Sequence, residues 1–252
     1  MTEDDSEPME KRTMVDAEIE QAEAGWEFNQ QVAESFDSHV RKSMPNYSKI
    51  QHQVVKLTDW FMRNEDGEVV YDLGCATGQT LDLLIQHHRG GDARFIGIDV
   101  EEPMLEKARE RVGYYDHVTL QNANLRHDPQ FPSATVVISL FTLSFIPEED
   151  RAMLLDRIYT DLARGGALIF CEKTRAESAL FQDIWNEHYW DYKASQGLSP
   201  EQILGKASTL RGQLRPLSER EYMAMLTNAG FEREHIDVWY KWYPWMGFVA
   251  RK

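Results

Sequence analysis

Only two cysteines, Cys75 and Cys171, occur in the 252-residue sequence, nearly a hundred residues apart. That excludes a disulfide-stapled scaffold and a thiolate metal cluster, and it suits a reducing compartment. The sequence has no H-E-x-x-H, no C-x-x-C and no G-x-S-x-G, so no zinc-hydrolase helix, redox dithiol or nucleophile elbow is written in it. No apolar run approaches a membrane span, and acids stand at the start where a secretory signal would carry a lysine and an apolar stretch. Positive charge is scarce as well, with 27 Lys and Arg against 42 Asp and Glu, a formal charge of −15. A wide nucleic-acid footprint draws its affinity from neutralised phosphates, so direct nucleic-acid binding is not expected. The expectation is a cytoplasmic protein with neither a membrane nor a nucleic-acid partner. Residues 2–23 contain no aromatic side chain and much of the acid, which predicts an acidic, partly disordered arm over 1–24. Residues 25–252 then form a single domain large enough to bury a sizeable core.

What is present is organised around Val69-Val70-Tyr71-Asp72-Leu73-Gly74-Cys75-Ala76-Thr77-Gly78. It reads as a buried strand, a glycine turn and the start of a helix. Two glycines four residues apart let backbone approach a neighbour or ligand with no room for Cβ. Asp72 precedes the turn, and Asp99 ends the next strand-like run, where an acid suits a ribose diol. The dinucleotide fingerprint G-x-G-x-x-G is not matched. From residue 68 onward strands and helices alternate, with strands expected at 69–72, 95–99, 118–121, 135–140 and 167–172. Gly165-Gly166 reads as the cap of a helix over 148–162. Two helices over 17–42 and 50–63 form an N-terminal cover, with Trp26, Phe28, Val32, Phe36 and Val40 facing inward. Residues 176–216 form a helical lid insertion, Ser218 caps a further helix, and two antiparallel strands turning near Pro244 end the sheet. The fold class is therefore α/β, a doubly wound Rossmann-like seven-stranded, mostly parallel sheet with that cover and that lid.

The pattern D-x-G-x-x-x-G, followed by an acid at the next strand tip, is similar to motif I and the acid after it in class I S-adenosylmethionine-dependent methyltransferases. That resemblance implies S-adenosyl-L-methionine as cofactor and gives each nearby residue an expected place. Asp72 and the Gly74 backbone suit the methionine end, and Gly78, which closes the turn, is expected among the cofactor-binding residues. Asp99 suits the ribose, and Val100, Asn124 and Leu125 suit the adenine. Leu140 and Phe141 flank the transferring group, and Tyr47 reaches over from the cover. His188, with Glu187 beside it, and Tyr47 are the candidates for acid or base catalysis. No metal is expected, because a sulfonium leaving group is already activated and alignment supplies most of the acceleration.

A closer resemblance is carried by Phe28-Asn29-Gln30-Gln31-Val32-Ala33-Glu34-Ser35-Phe36 and Arg41-Lys42-Ser43-Met44-Pro45-Asn46-Tyr47-Ser48-Lys49-Ile50. Tyr71-Asp72-Leu73-Gly74-Cys75, Phe141-Thr142-Leu143-Ser144-Phe145, Glu172-Lys173 and Ala229-Gly230-Phe231 follow in order. These look like the carboxy-S-adenosylmethionine synthases, over residues 26–252. The resemblance implies cofactor contacts at Tyr47, Gly74, Cys75, Ala76, Asp99, Val100, Asn124 and Leu125, and a homodimer. It implies conversion of S-adenosylmethionine and prephenate to carboxy-S-adenosyl-L-methionine for a tRNA-modifying partner. Three positions depart from the family. Leu140 stands for an asparagine, Asn124 for an acid, and Ala207 for the arginine that grips the extra carboxylate, leaving Lys206, Arg211 or Arg215 to replace it. A methyl group has no paired N–H donors to offer. The favoured reading is a methyltransferase acting on a small-molecule acceptor. The synthase is the alternative, and a non-catalytic cofactor-binding scaffold subunit is a second one.

Overall fold

The run Val69–Leu73 is buried at every position, as expected of a strand with helices on both faces. The computed structural model of the chain describes residues 30–63, 67–127 and 129–252. In order they form α1 (Gln30–Ser43), α2 (Tyr47–Thr58), β1 (Val69–Leu73), α3 (Gln79–His87), β2 (Arg94–Asp99), α4 (Glu102–Val112) and β3 (Val118–Asn122). Then come β4 (Ala134–Leu140), α5 (Glu148–Asp161), β5 (Leu162–Lys173), α6 (Ala179–Ser195), α7 (Pro200–Thr209), α8 (Glu219–Asn228), β6 (Ile236–Trp242) and β7 (Trp245–Arg251). The seven strands lie in the order β3-β2-β1-β4-β5-β7-β6, with β7 antiparallel to both neighbours. The chain winds outward from β1 through β2 to β3 and returns to β4 on the other side of β1. Strand order therefore reverses between β1 and β4, the place where such sheets bind ligands.

Alternate residues of one strand feed opposite layers. Val69, Tyr71 and Leu73 pack with Leu154 and Ile158 of α5 and Leu226 of α8. Val70 packs on the other face with Val54 of α2, Leu84 of α3 and Leu105 of α4. That two-residue period, buried on both sides, is why the strand sequences read as continuous apolar runs.

Residues 1–24, and Trp26 and Phe28 of the expected first helix, lie outside the described residues. Val32 is buried against Ala33 and Met104, and Val40 packs on Met44, Tyr189 and Trp245. The second cover helix starts at Tyr47 rather than at residue 50, behind Asn46 at φ 59°. Gly165-Gly166 does not cap a helix. The helix ends at Asp161, Leu162 is already extended, and the glycine pair lies inside β5 beside a register shift opposite Ala134 and Val136. Gly165 at φ 84° forms the bulge, and a Cβ on Gly166 would lie 2.6 Å from the Thr135 carbonyl. The chain's end pairs there, Gly165 donating to the Lys252 carbonyl and Lys252 to that of Gly166, both at 2.9 Å.

Gly74 leaves β1 at φ 72°, and a Cβ there would occupy the space of the Thr142 side chain. Gly74→Ala is expected to cost about 1–3 kcal/mol, read as a lowered urea midpoint. Adding Thr142→Ala should recover the steric share and leave the backbone share.

Candidate functional site

A cavity of about 750 Å³ opens where the carboxyl ends of β1, β2, β4 and β5 meet the cover and α6–α7. The turn after β1 forms its floor. Gly74 and Cys75 donate to the Ile98 carbonyl at 2.7 and 3.1 Å, fastening the turn to β2. Asp99 completes the clasp, its Oδ2 accepting from Ala76 N at 2.8 Å and its Oδ1 from Glu101 N at 3.0 Å. Ala76 is held at φ 47°, an uncommon conformation for a residue with a Cβ. The Asp99 oxygens keep acceptor capacity beyond their backbone donors. Burial raises the Asp99 carboxyl above the usual carboxylate range, and the backbone N–H groups partly offset this.

Asp72, at the end of β1, is 2% exposed, and its Oδ2 has no hydrogen-bond partner. Burial, reinforced by the Asp99 charge, pushes its carboxyl up to about 7. The Cys75 and Cys171 thiols are free and buried, and burial raises both, so neither is an activated nucleophile. Helix α1 is pinned over the turn through Asp37. That carboxylate accepts from Thr77 Oγ1 at 2.6 Å and pairs with Arg111 of α4 at 2.6 Å.

Of the residues singled out in the sequence, Tyr47, Asp72, Gly74, Cys75, Ala76 and Asp99 line this cavity. So do Val100, Asn124, Leu125, Leu140 and Phe141. Asn124 Oδ1 accepts from Arg126 N at 3.0 Å, which orients its amide. Phe141 sits at φ 63°, its ring between Tyr47 at 5.9 Å and Trp245 at 5.5 Å. The Tyr47 hydroxyl is driven upward by burial, Asp37 and Asp72, and remains protonated. Gly78 is not on the wall; it precedes α3, and its Cβ position would lie 3.2 Å from Ala108.

His188 and Glu187 lie elsewhere. Both are exposed, neither lines the cavity, and the His188 ring stacks on Tyr243 at 4.4 Å. The face of α6 that lines the cavity carries Asn186, Tyr189, Trp190 and Lys193, spaced i, i+3, i+4, i+7. Reading that stripe as a face, rather than picking out the lone histidine, would have brought Lys193 forward. Lys206 and Arg211 reach the wall near Ala207, and Arg215 does not. Lys206 Nζ contacts His39 Nε2, which also bonds Ser43 Oγ at 3.1 Å. Glu172, with no exposed surface, accepts from Leu143 N at 2.7 Å, Ser144 N at 3.2 Å and Ser144 Oγ at 2.6 Å. It fixes the turn after β4, and burial holds it up at about 7.

Residues 70–166 match the family model described as a methyltransferase domain. The carboxy-S-adenosyl-L-methionine synthase of Staphylococcus epidermidis is 35% identical over 228 residues, covering 90% of this chain and 97% of that protein. The synthase of the same name from Shewanella amazonensis is 32% identical, covering 94% of this chain and 96% of its own. This chain belongs to the carboxy-S-adenosyl-L-methionine synthase family. It is an S-adenosylmethionine-dependent enzyme of the class I methyltransferase fold. Solved structures agree on the fold. An O-methyltransferase family 2 protein from Planctomyces limnophilus, in complex with apigenin, superposes with a TM-score of 0.61 at 16% identity, covering 95% of this chain and 66% of its own. Human N-acetylserotonin methyltransferase, in complex with S-adenosylmethionine, gives 0.57 at 16% identity over 88% of this chain, which spans 55% of that protein.

The raised Asp72 carboxyl has a thermodynamic signature. Its folded value of about 7 exceeds the ordinary value, so the folded chain keeps a proton that the unfolded chain releases between roughly pH 4 and 7. Stability from this group is present at low pH and lost as pH rises through 7. Asp72→Asn should therefore gain on wild type from pH 5 to pH 8 by on the order of 2 kcal/mol, measured by urea unfolding at both values.

Proposed function

We propose that this chain is a methyltransferase for a small-molecule acceptor, with S-adenosylmethionine held against the glycine turn. The observation that carries the reading is Ala207 on the cavity wall, where resemblance to the synthases places a carboxylate-gripping arginine. A methyl side chain donates no hydrogen bond, so a carboxyl group on the sulfonium would lose its bidentate partner. Three features support the cofactor's seat. The Gly74 turn has no space for a Cβ, Asp99 is braced with acceptor capacity to spare, and Asp72 has an orphaned carboxyl oxygen suited to a cationic group.

When bound, S-adenosylmethionine supplies an electrophilic methyl on a positively charged leaving group. The protein's share is alignment and exclusion of water. Asp99 accepts from a pair of hydroxyls, Asp72 ionises beside a cation, and the protonated Tyr47 hydroxyl donates from the cover. Val100, Asn124 and Leu125 border the base, while Leu140 and Phe141, backed by Trp245, shield the reacting end. In this reading 25–252 work as one domain with 176–216 as its lid, as a cytoplasmic homodimer that does not itself bind nucleic acid. Among the described residues, no helix is long and apolar enough to cross a membrane.

The second reading, a synthase that carboxylates the cofactor using prephenate, is favoured by the near full-length 35% identity. Lys206 and Arg211 beside Ala207 would then share the arginine's task. Mass spectrometry after incubation with S-adenosylmethionine and prephenate separates the two. No cofactor gaining a carboxyl mass is expected, and its formation overturns the proposal. Asp99→Ala should weaken S-adenosylmethionine binding at least roughly tenfold by calorimetry. Unchanged affinity would remove the seat assigned to the cofactor, and binding without turnover of any acceptor would favour a scaffold subunit.

A further inference from the structure

The wall of the cavity away from the glycine turn carries charge of the opposite sign. Lys193 of α6 is 7% exposed, and Lys173, which ends β5, is partly buried. Their Nζ atoms lie 4.4 and 5.4 Å from the centre of the Tyr189 ring. All three residues line the cavity. Neither ammonium has a hydrogen-bond or ion-pair partner among the described residues. The nearest acid in sequence, Glu172, has committed its oxygens to Leu143 and Ser144. Tyr189 is itself fixed, donating its hydroxyl to the Ser43 carbonyl at 2.9 Å.

Two buried like charges without a counter-ion are costly, and burial accordingly lowers both, Lys193 to about 8 with Lys173 as the second cause. An anion placed between them would reverse that penalty. The surroundings define the rest of such a ligand. Trp190, Phe141 and Trp245 complete the wall, and the Trp245 indole Nε1, on a side chain 5% exposed, has no acceptor. The cavity has room for an aromatic molecule beside a nucleoside-sized one. Asp72 and Asp99, on β1 and β2, disfavour an anion beside the glycine turn, which biases where it sits.

We propose that Lys173 and Lys193, bracketing Tyr189, form the subsite for the carboxylate of an aromatic acceptor, making small aromatic carboxylic acids the substrate class. This rests on the small-molecule transferase reading above. It replaces the missing arginine of α7 with two point charges on β5 and α6 and assigns them to the acceptor rather than to the cofactor.

The test is calorimetric titration of the full chain saturated with S-adenosylhomocysteine, using phenylacetate, neutral phenylacetamide and phenyl phosphate as probes. Phenylacetate should bind, and the amide roughly tenfold or more weaker, the scale of a charge-assisted hydrogen bond. Lys193→Met should weaken phenylacetate by a similar factor while S-adenosylhomocysteine affinity holds, and Lys193→Arg should keep most of it. Equal binding of acid and amide, tighter binding of the phosphate, or no effect of Lys193→Met would overturn the subsite. If Lys193→Met also loses S-adenosylhomocysteine, Lys173→Met is read in its place, and the same loss there assigns the pair to folding and ends the proposal. Failure of wild type to bind S-adenosylhomocysteine would sink the transferase reading instead.

Discussion

The clasp between Asp99 and the Ala76 amide is the contact on which the site's geometry turns. It joins the tip of β2 to the bend after β1, which the Ile98 carbonyl also ties by accepting from Gly74 and Cys75. A carboxylate accepting from backbone N–H groups is a strong, directional link. It keeps Ala76 in a left-handed conformation that an alanine would otherwise avoid. Gly74 precedes it with the Thr142 side chain filling the space a Cβ would take, so the turn packs directly against the segment after β4. The cover obeys the same constraint, since Asp37 grips Thr77 inside that bend and ties α1 to α4 through Arg111.

Charge separation within the cavity follows from where the strands end. β1 and β2 deliver Asp72 and Asp99, α6 delivers Lys193, and β5 delivers Lys173 beside a Glu172 whose oxygens are taken by Leu143 and Ser144. On a chain with a formal charge of −15, a buried and a partly buried cation without hydrogen-bond or ion-pair partners among the described residues stand against the overall balance. Desolvation acts on both ends in opposite senses, raising the carboxyls and lowering the ammoniums, so each end moves toward neutrality until a charged ligand restores it. Aromatic rings between the ends, Phe141 against Tyr47 and Trp245, keep the middle apolar and sharpen the contrast.

Local chemistry was readable where it dominates. The apolar period, the Gly74 turn and the acid at residue 99 identify a doubly wound sheet and its switch point, because strand burial and left-handed turns leave direct marks on residue type. The Ser218 cap was legible for the same reason, and the structure adds Glu221 as the reciprocal half of its capping box. Gly165-Gly166 was not, since a glycine pair serves a helix end and a strand bulge equally well. Pairing of Gly165 and Gly166 with the chain's last residue settled it, a contact more than eighty residues long in sequence. His188 drew attention by residue type, yet one step of helix rotation carries it away from the cavity and puts Tyr189 there.

By itself, then, the amino-acid order determined the strand-turn-helix core, the family and the acids at the strand tips, all encoded within short windows. Only the tertiary structure decided which side of α6 faces the cavity, that Lys173 and Lys193 flank one ring, and that Ala207 lines the same cavity. The reason is physical. A helix's facing and a buried charge's surroundings depend on what packs against them, here Ser43 of α1 and Trp245 of β7 against Tyr189, and neither neighbour is adjacent in the chain.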